Sequence, residues 1–275
     1  MLDPDIQKKL ISEGRKFMKS FSTSPYQDFE SDQQLKLPQP PLVKAPMSDK
    51  ALPLPRNFED LDLKQDFLSL LTERKSSRVY TRQPISLLQL SFMLWATQGI
   101  KDIRGKAYAT LRTVPSGGAR HGFETYLLVQ NVEGLQPGAY HYLPLGHQLE
   151  FLHPVDNLPA AISDSLEGQS WAAKAGVIFY WSFLPYRCEW RYGIWAHRVA
   201  LIDAGHVGQN LYLACAALGL GTCAIAAFDV AVCDSLFGLD SEDEFTVYAS
   251  PVGTVSPADQ KSEKAFYQFV EDEGL

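Results

Sequence analysis

The sequence predicts an α+β domain preceded by a separate arm. Three observations carry that expectation: helix-period apolar stripes recur along the chain, runs of β-forming residues lie among them in mixed order, and the first 57 residues hold eight of the 17 prolines.

Within the arm, Ile6, Leu10, Ile11 and Phe17 recur at helical spacing among charges, so Asp3 to Phe21 reads as one short amphipathic helix. Six prolines between Pro38 and Pro55 then forbid a helix or a central strand and favour an extended segment. The expected units are residues 1–57, an arm that wraps a second copy, and residues 58–275, the folded body.

The body opens with a stripe of Leu61, Leu63, Phe67, Leu70 and Leu71, read as its first helix, which runs into Glu73–Arg78. Ser86 precedes the apolar run Leu87–Trp95 and Gly99 follows it, which places an N-cap and a C-cap around a second helix. Glu124–Gln130, Ala139–Leu143, Leu149–Leu152, Gly176–Ser182 and Glu244–Ser250 are rich in β-formers and are read as strands. Helices are expected over Ala160–Gly168, Gly193–Leu218 and Val230–Phe237.

Composition narrows the function. Lys plus Arg number 25 against 32 Asp plus Glu, so the net charge of −7 opposes nucleic-acid binding as the main activity. Ala196–Leu220 is interrupted by His197, Arg198, Asp203, His206, Gln209 and Asn210, too many polar groups for a membrane span. The first 21 residues lack the apolar stretch of a secretory signal, and Cys188, Cys215, Cys223 and Cys233 form no CxxC pair; both point to a cytoplasmic protein with free thiols.

The run Arg74-Lys75-Ser76-Ser77-Arg78 concentrates three cations and two hydroxyls, the inventory for holding a phosphate monoester, although cations also collect at ordinary helix ends. Pro115-Ser116-Gly117-Gly118 offers backbone amides to a planar or anionic ligand, or makes a plain turn. Gly219-Leu220-Gly221-Thr222-Cys223-Ala224 has the letters of a dinucleotide fingerprint, but it follows a helix and enters an extended run, the reverse of the required context. Asp203, His206 and Asn210 share one stripe and lack further strong ligands, so they read as a hydrogen-bond network rather than a metal site. Tyr192 beside Arg191 is a candidate proton-transfer phenol, or a half-buried helix-start tyrosine.

Taken in order, RKSSR at 74–78, LLQLSFMLWATQG at 87–99, RTVPSGGARHGFETYLLV at 112–129, GLQPGAYHY at 134–142, RYG at 191–193, DAGHVGQNLYLACAALGLGTCAIAAFD at 203–229 and SPVGTV at 250–255 form a set. This set resembles the nitroreductase superfamily, specifically its SagB/ThcOx-type dehydrogenase branch, from about Leu70 to Val255. The resemblance implies an α/β sandwich with a central antiparallel-type sheet flanked by helices, in a domain-swapped homodimer with FMN in each interface cleft. It implies that Arg74, Lys75, Ser76 and Arg78 grip the FMN phosphate and ribityl chain. Pro115, Ser116, Gly117 and Gly118 would reach the flavin from the other subunit, Ala224, Ile225, Ala226 and Ala227 would approach flavin N5, and Lys261 or Lys264 would complete the phosphate site.

Two departures from the family pattern stand out. Classical nitroreductases often carry Glu where Ala226 stands, which removes side-chain contacts and spares the backbone donor. Azoline-oxidising members use a Lys-Tyr pair that aligns with Arg191-Tyr192, and a permanently protonated arginine cannot act as a base. The implied function is therefore ping-pong hydride transfer from NAD(P)H through flavin N5 to a small organic acceptor. The alternatives are oxidation of an azoline in a modified peptide beside a cyclodehydratase, with Tyr192 assisting proton removal, and a non-catalytic flavin-binding subunit.

Overall fold

The computed structural model describes residues 3–19 and 29–258, together with Lys261, Gln268 and Asp272. Helix α1 (Pro4–Met18) starts at Asp3, whose carboxylate accepts the amides of Asp5 and Ile6, and all its side chains lie outside the core. The sequence expectation extends this helix to Phe21, which lies outside the described residues.

A seven-stranded sheet forms the centre. Its strands are β1 (Ala51–Pro53), β4 (Phe123–Val129), β5 (Gly138–Leu143), β6 (Gln148–His153), β7 (Val177–Phe183), β8 (Leu220–Thr222) and β9 (Phe245–Thr254). They lie in the order β1-β6-β5-β4-β7-β9-β8, and every pairing in the sheet is antiparallel. A separate hairpin joins β2 (Ile100–Arg104) to β3 (Ala109–Arg112).

β4 and β7 are buried along their whole length, because helices cover both faces. Side chains alternate across the strands. Leu127, Val129, Phe179 and Trp181 face α3 (Leu87–Gln98) and α6 (Ala196–Leu218), whereas Tyr126, Leu128, Ile178 and Tyr180 face α4 (Leu158–Ser165) and α7 (Val230–Phe237). The five expected strands are all present within one to four residues of their expected ends, and Val230–Phe237 matches its helix residue for residue.

The first body helix is shorter than its stripe. α2 spans only Phe67–Glu73, because the Asp66 carboxylate caps it by accepting the Ser69 amide. Residues 61–65 stay irregular, with the Lys64 amide bound to the Ala217 carbonyl. Ser86 caps α3 through a reciprocal capping box with Gln89. Gly99 is the C-cap, as expected, with φ −60 and its amide donating to the Trp95 carbonyl. It is needed for space, since a Cβ there would lie 2.4 Å from the Trp95 ring. The long helix begins at Ala196 rather than Gly193; a 3-10 turn over Gly193–Trp195 separates it from α5 (Pro185–Tyr192).

The proline-rich segment lies along its own chain. β1 adds an edge strand to β6, and Pro53 is tolerated there because it ends an edge strand. Buried carboxylates of the sheet capture the arm's backbone: Glu124 accepts the Lys44 amide at 3.1 Å, and Glu150 accepts those of Met47 and Ser48 at 2.9 and 2.7 Å. The Lys44 ammonium pairs with Glu244. Residues 31–55 therefore lie as a strap along the protomer that carries them.

Candidate active site

Arg74 ends α2 as its C-cap, and the chain then runs alongside β8: Ser76 bridges Thr222 in parallel, and the Ser77 amide donates to the Thr222 carbonyl at 2.8 Å. That approach explains Gly221, where a Cβ would meet Ser77 Cβ at 2.8 Å and Val255 at 2.5 Å. Gly219, with φ +67, is the left-handed cap of α6. The glycines of the GLGTCA run thus serve a helix end and a strand crossing, as its context predicts.

Tyr212 of α6 ties the two predicted cofactor segments together. Its hydroxyl lies 2.9 Å from Ser76 Oγ and accepts the Ala224 amide at 2.9 Å, while Arg74 sits over its ring at 5.2 Å. A recess of about 170 Å³ opens here between Arg74, Lys75, Ser77, Tyr212, Gly219 and Thr222. Arg78 lies over the Trp171 ring at 5.9 Å. Ile225 is buried and pairs through its backbone with Ala249, Ala226 and Ala227 are exposed, and the Ala227 carbonyl accepts from Gln169 at 3.0 Å. Lys261 is helical and exposed, and Lys264 lies outside the described residues. The cations and hydroxyls around the recess fit a phosphate monoester, which a guanidinium binds with paired N–H donors and a hydroxyl with one more.

A second constellation surrounds Gly117 and Gly118. Asp203 of α6 accepts Ser116 Oγ at 2.6 Å and the Gly117 amide at 3.1 Å, and Ser116 Oγ in turn accepts the His121 amide at 2.9 Å. Gly118 has φ +55, and any Cβ there would lie 2.4 Å from Arg191 Nε and 2.7 Å from the Tyr192 hydroxyl. Ala119 and His121 also have positive φ, 55 and 48, so the loop stores backbone strain that its anchors must hold. Asn210 donates to the Ala96 carbonyl at 2.8 Å and His206 is exposed, so the expected Asp203–His206–Asn210 stripe divides into separate attachments.

Asp203 and Tyr212 are nine residues apart on one helix, which separates them by about 13 Å along the axis and about half a turn around it. One protomer therefore presents the phosphate-type recess and the glycine loop on opposite sides of α6. Neither Tyr212 nor Asp203 was among the site residues predicted from sequence. A phenol in an apolar helix and an acid on a polar stripe have no spacing that names a ligand. Burial lifts the Cys188 and Cys233 thiols to about 12, and all four cysteines are buried, so none is a poised nucleophile. No helix among the described residues is long and apolar enough to cross a membrane.

The Nitroreductase family profile matches residues 71–254. The chain belongs to the nitroreductase family. It is 33% identical over 159 residues to the nitroreductase-type protein MJ1384 of Methanocaldococcus jannaschii, covering 58% of this chain and 77% of that one. It is 30% identical over 133 residues to the trifolitoxin-processing protein TfxB of Rhizobium leguminosarum bv. trifolii, covering 47% of this chain and 36% of TfxB. With the microcin B17-processing protein McbC of Escherichia coli it shares 32% identity over 119 residues, 40% of this chain and 42% of McbC. The matches thus span well under half the length of those two processing proteins. Among solved structures, a nitroreductase-type protein of Ralstonia eutropha JMP134 superposes with TM-score 0.62 at 26% identity, over 80% of this chain and 95% of that one. A chain of the E. coli microcin synthetase McbBCD complex has the same fold, with TM-score 0.59 at 20% identity over 93% of this chain and 95% of that one.

This nitroreductase-family protein is therefore an α+β oxidoreductase of a typically flavin-dependent kind, related to peptide-processing proteins.

Proposed function

We propose that this nitroreductase-family protein is an FMN-dependent dehydrogenase that oxidises an azoline ring in a modified peptide, working as a homodimer. The observation that carries the flavin is the convergence of Arg74, Ser76 and Ala224 on Tyr212. Arg74, Lys75 and Arg78 would hold the phosphate, and Ala224–Ala227 would line the isoalloxazine edge. Bound FMN supplies a two-electron hydride acceptor. The glycine loop and Tyr192 would complete the site from a second copy, since α6 turns them away from their own recess. The likeness to TfxB and McbC supports the peptide substrate.

A second reading, reduction of a small organic acceptor with NAD(P)H, is supported by MJ1384, 77% of whose length matches this chain. One experiment separates the two. The purified protein should show a flavin spectrum that bleaches anaerobically with a short peptide carrying one thiazoline ring and stays oxidised with NADH and NADPH. Bleaching by the nicotinamides alone would favour the second reading, and bleaching by neither a flavin-holding subunit without turnover. The double change Arg74→Ala with Arg78→Ala should release FMN, each removing a charge-assisted contact worth about 1.5–3 kcal/mol. Retained stoichiometric FMN would refute the assignment of the recess.

A further inference from the structure

The hairpin between β2 and β3 carries Tyr108 to the guanidinium of Arg191. Its hydroxyl oxygen accepts two N–H donors, Arg191 Nη1 at 2.7 Å and Gln33 Nε2 at 2.9 Å. Arg120 lies over the ring at 4.8 Å and also donates to the carbonyls of Gly118 and Tyr108, at 3.0 and 2.9 Å. The same Arg191 hydrogen-bonds Tyr192 and sits over its ring at 5.6 Å. Two phenols thus share one guanidinium, directly against the loop where Gly118 leaves no room for a side chain.

A phenol oxygen that receives two donors, one cationic, is arranged for the phenolate, because both donors strengthen when the oxygen becomes an anion. Among the described residues none accepts the hydroxyl's own hydrogen, and Tyr108 is 38% exposed, so solvent can take up that proton. The charged groups facing Tyr108 are cations from two elements, Arg191 of α5 and Arg120 after β3; the strap contributes the neutral Gln33. Burial pushes the phenol up, but the Gln33 bond and the two guanidinium charges outweigh it and hold Tyr108 below the ordinary tyrosine value.

We propose that Tyr108 is the proton-accepting catalytic residue of this site, with Arg191 and Gln33 as its positioning residues. This rests on the flavin-dehydrogenase reading for its substrate. In an azoline, a ring C–H bond breaks and its proton forms the O–H bond of Tyr108. The hydrogen on the neighbouring carbon would leave as hydride, which bound flavin would accept, and the carbon–carbon double bond would form between the two carbons. The ring loses two electrons and two hydrogens, all accounted for. The arrangement also answers the objection raised by Arg191, since a group that cannot give up its proton can still stabilise a phenolate that has.

The test compares the wild type with Tyr108→Phe and Tyr192→Phe. Ultraviolet difference titration of the folded protein should reveal a tyrosine that ionises below the remaining phenols, absent from Tyr108→Phe and shifted upward in Arg191→Gln. With the thiazoline peptide, the anaerobic bleaching rate should fall toward acid pH in the wild type. Tyr108→Phe should lose that acid limb and about 10²-fold of the rate at neutral pH while keeping its flavin. A titration unchanged by Tyr108→Phe overturns the proposal, as does an acid limb that survives in Tyr108→Phe and disappears in Tyr192→Phe. A protein that holds no flavin refutes the cofactor assignment instead, and the titration still reports on Tyr108.

Discussion

At the scale of single residues, Tyr212 is the position where the candidate cofactor site is most exposed to test. Its hydroxyl joins Ser76 Oγ to the Ala224 amide, so Tyr212→Phe leaves that amide short of an acceptor while the ring remains to meet Arg74. The expected loss is about 1–3 kcal/mol of stability, with weaker FMN retention, read by urea denaturation and by flavin content after gel filtration. Asp203 works on the other side of the helix. Burial raises its carboxyl above the usual range against the lowering effect of the Ser116 and Gly117 donors, a cost that the strained loop's anchorage offsets. Asp203→Ala should free the loop at a similar cost, seen as faster amide exchange over residues 116–121. Sequence alone named Ser116 and Gly117, and separately Asp203 as a hydrogen-bonding residue, without joining them, because a carboxylate 86 residues away has no local pattern.

At the scale of elements, the strap has a built-in pH dependence. His141 lies between two carboxylates, with Nδ1 2.6 Å from Glu150 and Nε2 3.2 Å from Glu124, and Arg187 adds a second cation to Glu124 at 2.6 Å. Burial pushes both carboxyls up, but Arg187 and His141 hold Glu124 well below its usual range, and bonds from His141, Met47 and Ser48 lower Glu150. Burial pushes His141 down, but the two carboxylates hold it above its ordinary value. The carboxylates' contribution is complete above an unfolded value of about 4.3 and disappears as pH falls through their lowered folded values; the imidazolium's is complete below about 6.5 and disappears as pH rises through its raised one. Strap attachment is therefore strongest between about pH 4.3 and 6.5. Urea midpoints measured across pH should show that plateau. His141→Ala should lose the alkaline decline and about 3–5 kcal/mol, since it leaves buried carboxylates short of a cation.

The strap also shows why some elements escaped a sequence reading. Proline density correctly excluded a helix and a central strand, yet β1 exists because an edge strand needs only one hydrogen-bonded neighbour. α5 went unseen because Pro185 at its start and Gly193 at its end enclose only eight residues of mixed polarity. The stripe of Leu61 to Leu71 overstated α2, because periodicity registers side chains and not the Asp66 cap that restarts the backbone.

For the whole molecule, the decisive quantity is apolar surface left uncovered on one protomer. Phe67 is 62% and Leu68 73% exposed on α2, and Leu201 56% and Ile202 53% exposed on α6, on the helix that separates the two halves of the site. A second copy covering them is the dimer proposed above. Leu68→Asp combined with Leu201→Asp should give a monomer by sedimentation that has lost its flavin in the same step. A monomer retaining flavin would place the whole cofactor site within one chain.

The sequence by itself determined the α+β class, the five body strands, the capped helices α3 and α7, and the two segments rich in phosphate-binding groups and glycine, because these depend on local period, capping and composition. Only the tertiary structure decided that Tyr212 joins Ser76 to Ala224, that Asp203 holds the glycine loop half a turn away, that buried carboxylates secure the strap, and that Tyr108 meets Arg191. Those contacts span from 12 to 136 residues, and such pairings arise from how the helices and strands pack rather than from any property of neighbouring residues.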